Sequence, residues 1–522
     1  MNEPLILTMD FGTQSVRVAL FDKRGYMVAM KKKDYDQPYF SLQPNWAEKE
    51  PYEYYQDLCL CTKELAKENP SSMKNIKGIT LTCFRDTAVL LDQHMKVIRP
   101  SVLWLDQRNA KCEKPLPKLA QFLFKLVGKT DTINFNRRRC VANWIQENEP
   151  ENWSKVVKYV PVSSYMHFLL TGELKDCASN CAGHYPIDFK KKQWYKKPEK
   201  HLTGQIFGLT RDLLPELVGE GEIIGRINKK AAEDTGIPEA TIVYAAGSDK
   251  SCETLGMGVI DETLGALSYG TASSIETTTA KYHESEPFLP GYPSAAKGFY
   301  NMDIQVYRGY WMIEWFMKEI AGRKGKEDPK SITYFNEHLK DVPAGCDGLV
   351  LQPYWGPGLS RPLAKGAIVG FSDSTTTEHI YRSIIEGIAY ALREGIEHFE
   401  KVLKHKIPEL RVSGGGSVSD EICQITADVF GKPVSRVQTK ESSSLGAAIA
   451  GFCAIGQYHS VAEAVKEMVR VRDTFYPNKE NAKVYDYLYK EAYLKMYPGL
   501  AKTYAKIKRF NNGEIKKSIT YE

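Results

Sequence analysis

The sequence predicts an α/β fold built as two related halves. Three features predict it: strand-like apolar runs alternate with helical stretches, a strand–turn–strand unit opens the chain, and a similar unit returns half-way along. The first unit is Leu5-Ile6-Leu7-Thr8-Met9-Asp10-Phe11-Gly12-Thr13-Gln14-Ser15-Val16-Arg17-Val18-Ala19-Leu20-Phe21-Asp22. The second is Gly265-Ala266-Leu267-Ser268-Tyr269-Gly270-Thr271-Ala272-Ser273-Ser274-Ile275-Glu276. Two such units far apart suggest halves that face each other across a cleft. At 522 residues the chain is also too long for a single core.

In the first unit Asp10 ends a strand, where a carboxylate can hold a hydrated Mg²⁺. Gly12 allows close backbone approach, and Thr13, Gln14 and Ser15 add donors suited to phosphate oxygens. The same residues also fit an ordinary hairpin. Residues 43–48 read as a polar, aromatic loop. Pro51 then opens a helix over about 51–67. Residues 76–82 read as a strand ending at Phe84-Arg85-Asp86-Thr87, 88–92 as a strand returning from it, and 102–108 as a further short strand. These ends carry Arg85, Asp86, Trp104, Asp106 and Arg108. Such a set suits hydroxyl recognition at one sheet edge, Arg and Asp by directed hydrogen bonds and Trp by an apolar face. It equally suits a salt-bridge cluster around a core Trp, and spacing leaves both open.

Residues 110–235 read mostly as helices, with Trp144, Trp153 and Trp194 as packing residues. Arg137-Arg138-Arg139 precedes a helical segment at 141–145 and faces solvent or the cleft. Residues 241–249 form an apolar strand ending in a small turn and Asp249, followed by a helical segment at 252–257. An Asp held at a strand-to-helix turn is well placed as a general base, and equally well placed to cap the helix. Further on, 311–320 reads as an amphipathic helix, 354–358 as a loop, and 378–404 as a long helix with Ser383, Gly387 and Ala389 on one side. A strand at 410–413 leads into Gly414-Gly415-Gly416-Ser417 and a helix from Asp420. A glycine turn opening a helix leaves N–H groups and room for a flat or anionic ligand. Residues 444–451 form a small-residue helix, and the chain from 473 reads as terminal helix.

Composition excludes several classes. Hydrophobic residues make up 43% and charged residues 26%, as in a soluble globular protein. The net charge of +6 is dispersed and no aromatic-basic stripe appears, which argues against nucleic-acid binding. The 11 cysteines show no C-x-x-C pair or zinc-type spacing, as expected of reduced thiols. Neither a basic leader nor a membrane-spanning run is present, so the expected location is cytoplasmic.

Several motifs together carry a resemblance. Asp10-Phe11-Gly12-Thr13-Gln14-Ser15-x-Arg17 resembles the first phosphate motif of the FGGY family of carbohydrate kinases. Tyr269-Gly270-Thr271 is similar to its second phosphate motif and Ser413-Gly414-Gly415-Gly416-Ser417 to its adenosine motif. Gly366-Ala367-Ile368-Val369-Gly370-Phe371, followed after seven residues by His379-Ile380-Tyr381-Arg382-Ser383-Ile384-Ile385-Glu386, follows its C-terminal signature apart from Phe371. The resemblance covers nearly the whole chain. It implies two actin/hexokinase-like (ribonuclease H-like) ATPase lobes with a cleft between them: residues 1–256 with the sugar site and first phosphate motif, and 257–522 with the second phosphate and adenosine motifs.

The implied activity is ATP- and Mg²⁺-dependent phosphorylation of a small sugar or polyol, a ketopentose such as xylulose or else glycerol. Asp249 would take the proton from the attacking hydroxyl and Asp10 would bind Mg²⁺ through water. Gly12, Thr13, Gln14, Ser15, Gly270 and Thr271 would hold phosphates, while Gly415, Gly416 and Asp420 would border the adenosine. Arg85, Asp86 and Trp104, with Asp249 and Lys250, would bind the substrate. The implied partners are that small molecule, with no nucleic acid or membrane, and a homodimer is left open.

Three departures stand out. Lys250 occupies a position where the family has Gln or Asn, and Val141 and Arg138 replace residues of its N-terminal signature. Phe84-Arg85-Asp86 matches neither the xylulokinase nor the glycerol kinase pattern in full. Extra positive charge at Lys250 and Arg137–Arg139 raises the reading of an anionic or strongly polar substrate, against side chains that point to solvent. Two rival functions stay open: a kinase of another pentulose, a tetritol or a signalling sugar, and a nucleotide-switched scaffold without catalysis.

Overall fold

Apolar residues that alternate along Leu5–Phe11 and Ser15–Asp22 decide where the first sheet puts its two faces. Leu5, Leu7, Met9 and Phe11 join Val16, Val18 and Leu20 in one buried cluster, whereas Ile6, Ala19 and Phe21 belong to another. Asp10 keeps the parity of Ile6 and Thr8, so its carboxylate leaves on the second face. The computed structural model describes residues 3–286, 289–322, 331–355, 361 and 363–511. Gly356, Pro357 and Gly358 of the expected loop, and the end of the terminal segment beyond Asn511, lie outside the described residues.

The chain forms two compact units. One comprises Met1–Ile260, Thr278–Asn301 and Glu441–Arg470, the other Asp261–Thr277, Met302–Lys440 and Val471–Glu522. The first unit is thus discontinuous in sequence, since residues 278–301 and 441–470 return to it. In that unit the sheet order is Ile223–Arg226, Ile242–Ala245, Ile76–Cys83, Leu5–Phe11, Ser15–Asp22, Met27–Asp34. The three strands at 242–245, 76–83 and 5–11 run parallel, so their C-terminal ends emerge together.

Each face of this sheet is covered by helix. Pro51–Glu68 starts on proline, where no N–H is needed, and buries Tyr54, Leu58 and Leu65 against one face. Helix Ser442–Ala454 covers the other, setting Leu445, Ala448, Ile449 and Phe452 against Ile6, Ala19 and Phe21. The hydroxyl of Thr80 donates to the carbonyl of Ala447 at 3.0 Å. The same helix meets helix Asp249–Gly256 backbone to backbone. A Cβ on Gly256 would overlap the Ser442 carbonyl, and one on Gly446 the Cys252 carbonyl.

The second unit repeats the first sheet's plan. Strands Leu264–Tyr269 and Ser273–Thr279 form an antiparallel hairpin. Leu264–Tyr269 also runs parallel to Glu409–Ser413, which runs parallel to Val434–Val437, with Val471–Phe475 antiparallel outside it. The expectation of two related halves is met by this shared strand order. Helix Thr377–Leu403 forms the unit's core with Tyr381, Ile384, Ile388, Leu392, Ile396 and Phe399. Gly387 lets the strand Val350–Gln352 approach its backbone, with the Leu351 carbonyl 2.5 Å from where a Cβ would stand.

Four local expectations are corrected. Ala88–Leu91 does not return along Ile76–Cys83 but pairs with Lys158–Pro161. Within 102–108 only Val102 is strand, in Ser101–Val102 paired with Glu48–Lys49, and Asp106 then bends the chain through its own hydrogen bonds. Between Thr171 and Lys229 short strands and 3₁₀ turns replace the expected helices, in a stretch rich in Gly. The terminal segment begins as the strand Val471–Phe475 and turns helical only from Lys479. The cysteines are free thiols, most of them buried. Among the described residues no helix is long and apolar enough to cross a membrane.

The glycine contact yields a stability prediction. Gly446→Ala should lower unfolding free energy by about 1–3 kcal/mol, since overpacking against a backbone finds no side chain to yield. Gly499→Ala, inside helix Leu494–Asn511 with nothing within 4 Å, should be neutral or stabilising by up to about 1 kcal/mol. Urea denaturation of both variants checks this; equal midpoints would show that the close approach is not constraining.

Candidate active site

The three parallel strand ends of the first unit carry Asp10, the Phe84–Thr87 segment and the Gly247–Asp249 turn, the position where open parallel sheets place ligands. Asp10 is buried and lies in register between Arg17 on one neighbouring strand and Thr82 on the other. Arg17 Nη1 stands 3.7 Å from Asp10 and its Nε 3.0 Å from Glu441. Burial pushes the Asp10 carboxyl up to about 7, with Asp249, Glu441 and Glu253 adding to the rise and Arg17 opposing it. A cation beside this carboxylate would relieve that repulsion. No group of three or more His, Cys, Asp or Glu side chains that could hold a metal ion occurs among the described residues, and Asp10 alone would leave a cation most of its own water.

Gly12 and Ser15 close the hairpin turn by a backbone bond of 3.0 Å. Gln14 is exposed and Thr13 partly so, whereas Ser15 is buried, so the turn offers the Thr13 hydroxyl rather than that of Ser15. Thr13 Oγ1 accepts from Trp104 Nε1 at 3.0 Å and therefore keeps its own hydrogen to donate.

Asp249 occupies the first position of its helix. Ser248, not Asp249, is the N-cap and accepts from the Ser251 N–H. That leaves the Asp249 side chain for other work, with one oxygen accepting the Lys250 N–H at 2.7 Å. Burial raises its carboxyl above the ordinary value, against the pull of Lys250 and Arg85. Lys250 Nζ pairs with Glu253 at 3.0 Å, within its own helix. Arg137 and Arg139 donate to the carbonyls of Lys114 and Asp106, and Arg138 is exposed. Lys250 is thus paired within its own helix, and its charge, with that of Arg85, acts on Asp249.

The charged set of the early strands separates into two groups. Asp106 and Arg108 are structural: Asp106 accepts from Arg108 at 2.9 and 2.8 Å, and Glu48 binds Arg108 at 2.7 Å and Arg99 at 2.6 Å. The Arg108 guanidinium lies 3.9 Å from the Trp46 ring centroid and 4.7 Å from that of Trp144. Arg85, Asp86 and Trp104 stay at the strand ends. Arg85 lies over the Tyr292 ring at 5.0 Å and its charge acts on Asp249. Asp86 has a left-handed backbone (φ 58°) and faces His184, whose Nδ1 is 2.7 Å from Oδ2.

In the second unit the Gly270–Thr271 turn is tied to the start of helix Trp311–Glu319. Its carbonyls accept from the N–H groups of Tyr310 at 3.1 Å and Trp311 at 3.3 Å. The Tyr310 ring stacks on Tyr269 at 4.7 Å and fills the space a Cβ on Gly416 would need. Gly414 is left-handed (φ 91°), and Gly415 has open space about it. Arg436 holds the following 3₁₀ turn through the Ser417 and Val418 carbonyls, both at 3.1 Å, and binds Asp420 at 2.6 Å. Asp420 is thus paired, though its side chain stays largely exposed. Sequence reading missed Tyr310, Glu441 and His184. Only an adjacent aromatic in the helix start hinted at the first, and nothing hinted at the other two.

Comparison with known proteins identifies the family. Models of the FGGY family of carbohydrate kinases match at residues 5–256 for its N-terminal domain and 265–455 for its C-terminal domain. Xylulose kinase of Lactococcus lactis is 28% identical over 97% of this chain and 99% of its own. Glycerol kinase of Thermococcus gammatolerans is 27% identical over 92% and 94%. The solved structure of xylulose kinase from Lactobacillus acidophilus superposes with a TM-score of 0.81 at 23% identity, covering 97% of this chain and all of that one. This agrees with the actin/hexokinase-like α/β fold that the sequence resemblance implied. With family matches over most of its length, the chain belongs to the FGGY family of carbohydrate kinases, enzymes that phosphorylate a sugar or polyol hydroxyl at the expense of ATP.

Proposed function

We propose that the substrate is a ketopentose such as xylulose, with glycerol the second candidate, and that Asp249 is the general base. The observation that carries the catalytic assignment is the Asp249 carboxylate itself, freed from capping by Ser248 and set at the end of a parallel strand within the influence of Arg85. One Asp249 oxygen accepts the hydroxyl proton as the hydroxyl oxygen bonds to the γ-phosphorus and the bond to the β–γ bridging oxygen breaks, releasing ADP. The xylulose kinase relative supports the ketopentose. Asp86 is weakened as a substrate clamp because it is already bound to His184.

Phosphate contacts are assigned to Gly12, Thr13 and Gln14 in the first unit and to Gly270 and Thr271 in the second. Adenosine contacts are assigned to Gly415 and Gly416. Asp10 would hold Mg²⁺ through water, and the bound ion would supply charge neutralisation on the phosphates. Tyr310 and Arg436 keep the second unit's turns in shape.

Three outcomes test this reading. Asp249→Asn should lower sugar-dependent ADP release by about 10²–10⁴-fold, the usual worth of a general base, with little change in sugar KM; near-normal turnover would mean another base, and no sugar-dependent turnover in the unaltered protein would favour a scaffold. The pH profile of kcat/KM should show an acid limb above the 3.8 of an ordinary aspartate, because a carboxyl with a raised pKa is protonated, and lost as a base, at higher pH. Gly416→Ala, whose Cβ would press on Tyr310, should raise ATP KM about tenfold or more while sugar KM changes less than twofold; an unchanged ATP KM would remove this turn from the nucleotide site.

A further inference from the structure

We propose that His184 contacts the sugar as a specificity-determining residue, and that Asp86 acts through it as a positioning residue; this rests on the kinase reading above. Asp86 and His184 are 98 residues apart in the chain yet joined twice. The His184 N–H donates to Asp86 Oδ1 at 2.8 Å, and His184 Nδ1 lies 2.7 Å from Oδ2. Both carboxylate oxygens are therefore engaged by one residue. Gly183 makes the approach feasible: it is left-handed (φ 125°), and a Cβ there would stand 2.5 Å from Asp86 Oδ1. The imidazole also meets the Phe207 ring edge-on at 6.2 Å, so backbone and ring are both fixed.

This pair is tied through the chain to the turn that carries the proposed base. Asp86 follows Arg85, whose charge acts on Asp249. The segment that carries His184 is fastened at its other end to the Asp249 turn, where Ser179 Oγ accepts the Ser248 N–H at 3.3 Å. The segment's root is Asp176, fully buried and bound by Ser163 at 2.6 Å, Ser164 at 2.7 Å and Asn180 at 2.8 Å. Residues 176–184 thus run from the Gly247–Asp249 turn to the Arg85–Asp86 turn, two strand ends of one sheet.

The chemistry of the contact follows from the pair. A carboxylate only accepts, so with the ring neutral Nδ1–H donates to Asp86 and Nε2 is the edge left to accept. Among the described residues Nε2 has no protein partner, and the side chain keeps 19% of its exposure. A fixed acceptor of this kind takes the hydrogen of an alcohol and disfavours a carboxylate or phosphate, which offers lone pairs only. At this position the site is therefore built for a hydroxyl rather than a carboxylate or phosphate.

The test measures steady-state ADP release by the full chain with D-xylulose, glycerol and D-gluconate as acceptors. On the better neutral acceptor, His184→Ala should raise sugar KM roughly tenfold, the net worth of about one hydrogen bond, with ATP KM and the thermal midpoint nearly unchanged. His184→Gln, which can donate to Asp86 and still offer an acceptor, should recover most of the loss and stands in if the alanine variant fails to fold. Asp86→Asn should mimic His184→Ala, and the double variant should be no worse than either, because the two act as one unit. A sugar KM within twofold of normal in His184→Ala, additive losses in the double variant, or faster turnover of D-gluconate than of either neutral acceptor would each overturn the proposal. Absence of turnover on every acceptor in the unaltered protein would instead fall on the kinase reading.

Discussion

The active-site half of the first unit depends on one close approach, Gly256 against Gly446, where two helices touch through their backbones. No side chain intervenes, so the two helices are held in one register. Through that contact, helix Ser442–Ala454 sets Glu441 beside Arg17 and lets the Ser443 hydroxyl reach the Asp249 carbonyl at 3.2 Å. The position of a residue proposed as the base is thus fixed by a segment far along the chain. A larger side chain at either glycine would move helix, strand end and carboxylate together.

Around that contact the first unit gathers more negative charge than it neutralises. Asp249, Glu253 and Glu441 act on Asp10 and Glu253 acts on Asp249, and Arg17, Lys250 and Arg85 answer them only in part. A cation and a phosphate chain would add the positive charge and the partners that such a cluster of acids can take. Lys250 belongs to this balance through Glu253 and need not meet the substrate. The second unit shows the opposite economy of charge, with turns of glycine, backbone N–H groups and stacked tyrosines.

Much of this was legible in the sequence because it is local. Alternation along 5–11 and 15–22 marks a hairpin, Pro51 marks a helix start, and an Asp after an apolar run and a small turn marks a strand end. What was not legible is pairing at a distance. Asp106 and Arg108 have the same spacing and chemistry as a substrate clamp, and only Glu48, Arg99, Trp46 and Trp144 turn them into a buried network. Ser248 and Asp249 are both good caps, and the backbone decides between neighbours. The Asp86–His184 pair leaves no local mark at either end, since a left-handed Asp and a glycine before a histidine become informative only when they meet.

The discontinuity of the first unit has a consequence for synthesis. As the chain leaves the ribosome, the hairpin at 5–22 and its parallel partners at 76–83 and 242–245 are complete long before residues 441–470 emerge. Until then Ile6, Ala19 and Phe21 lack the helix that covers them. The nascent protein therefore carries an apolar sheet face, wet and unpartnered, through the making of nearly all its second unit, and it is in that interval that a chaperone would find it.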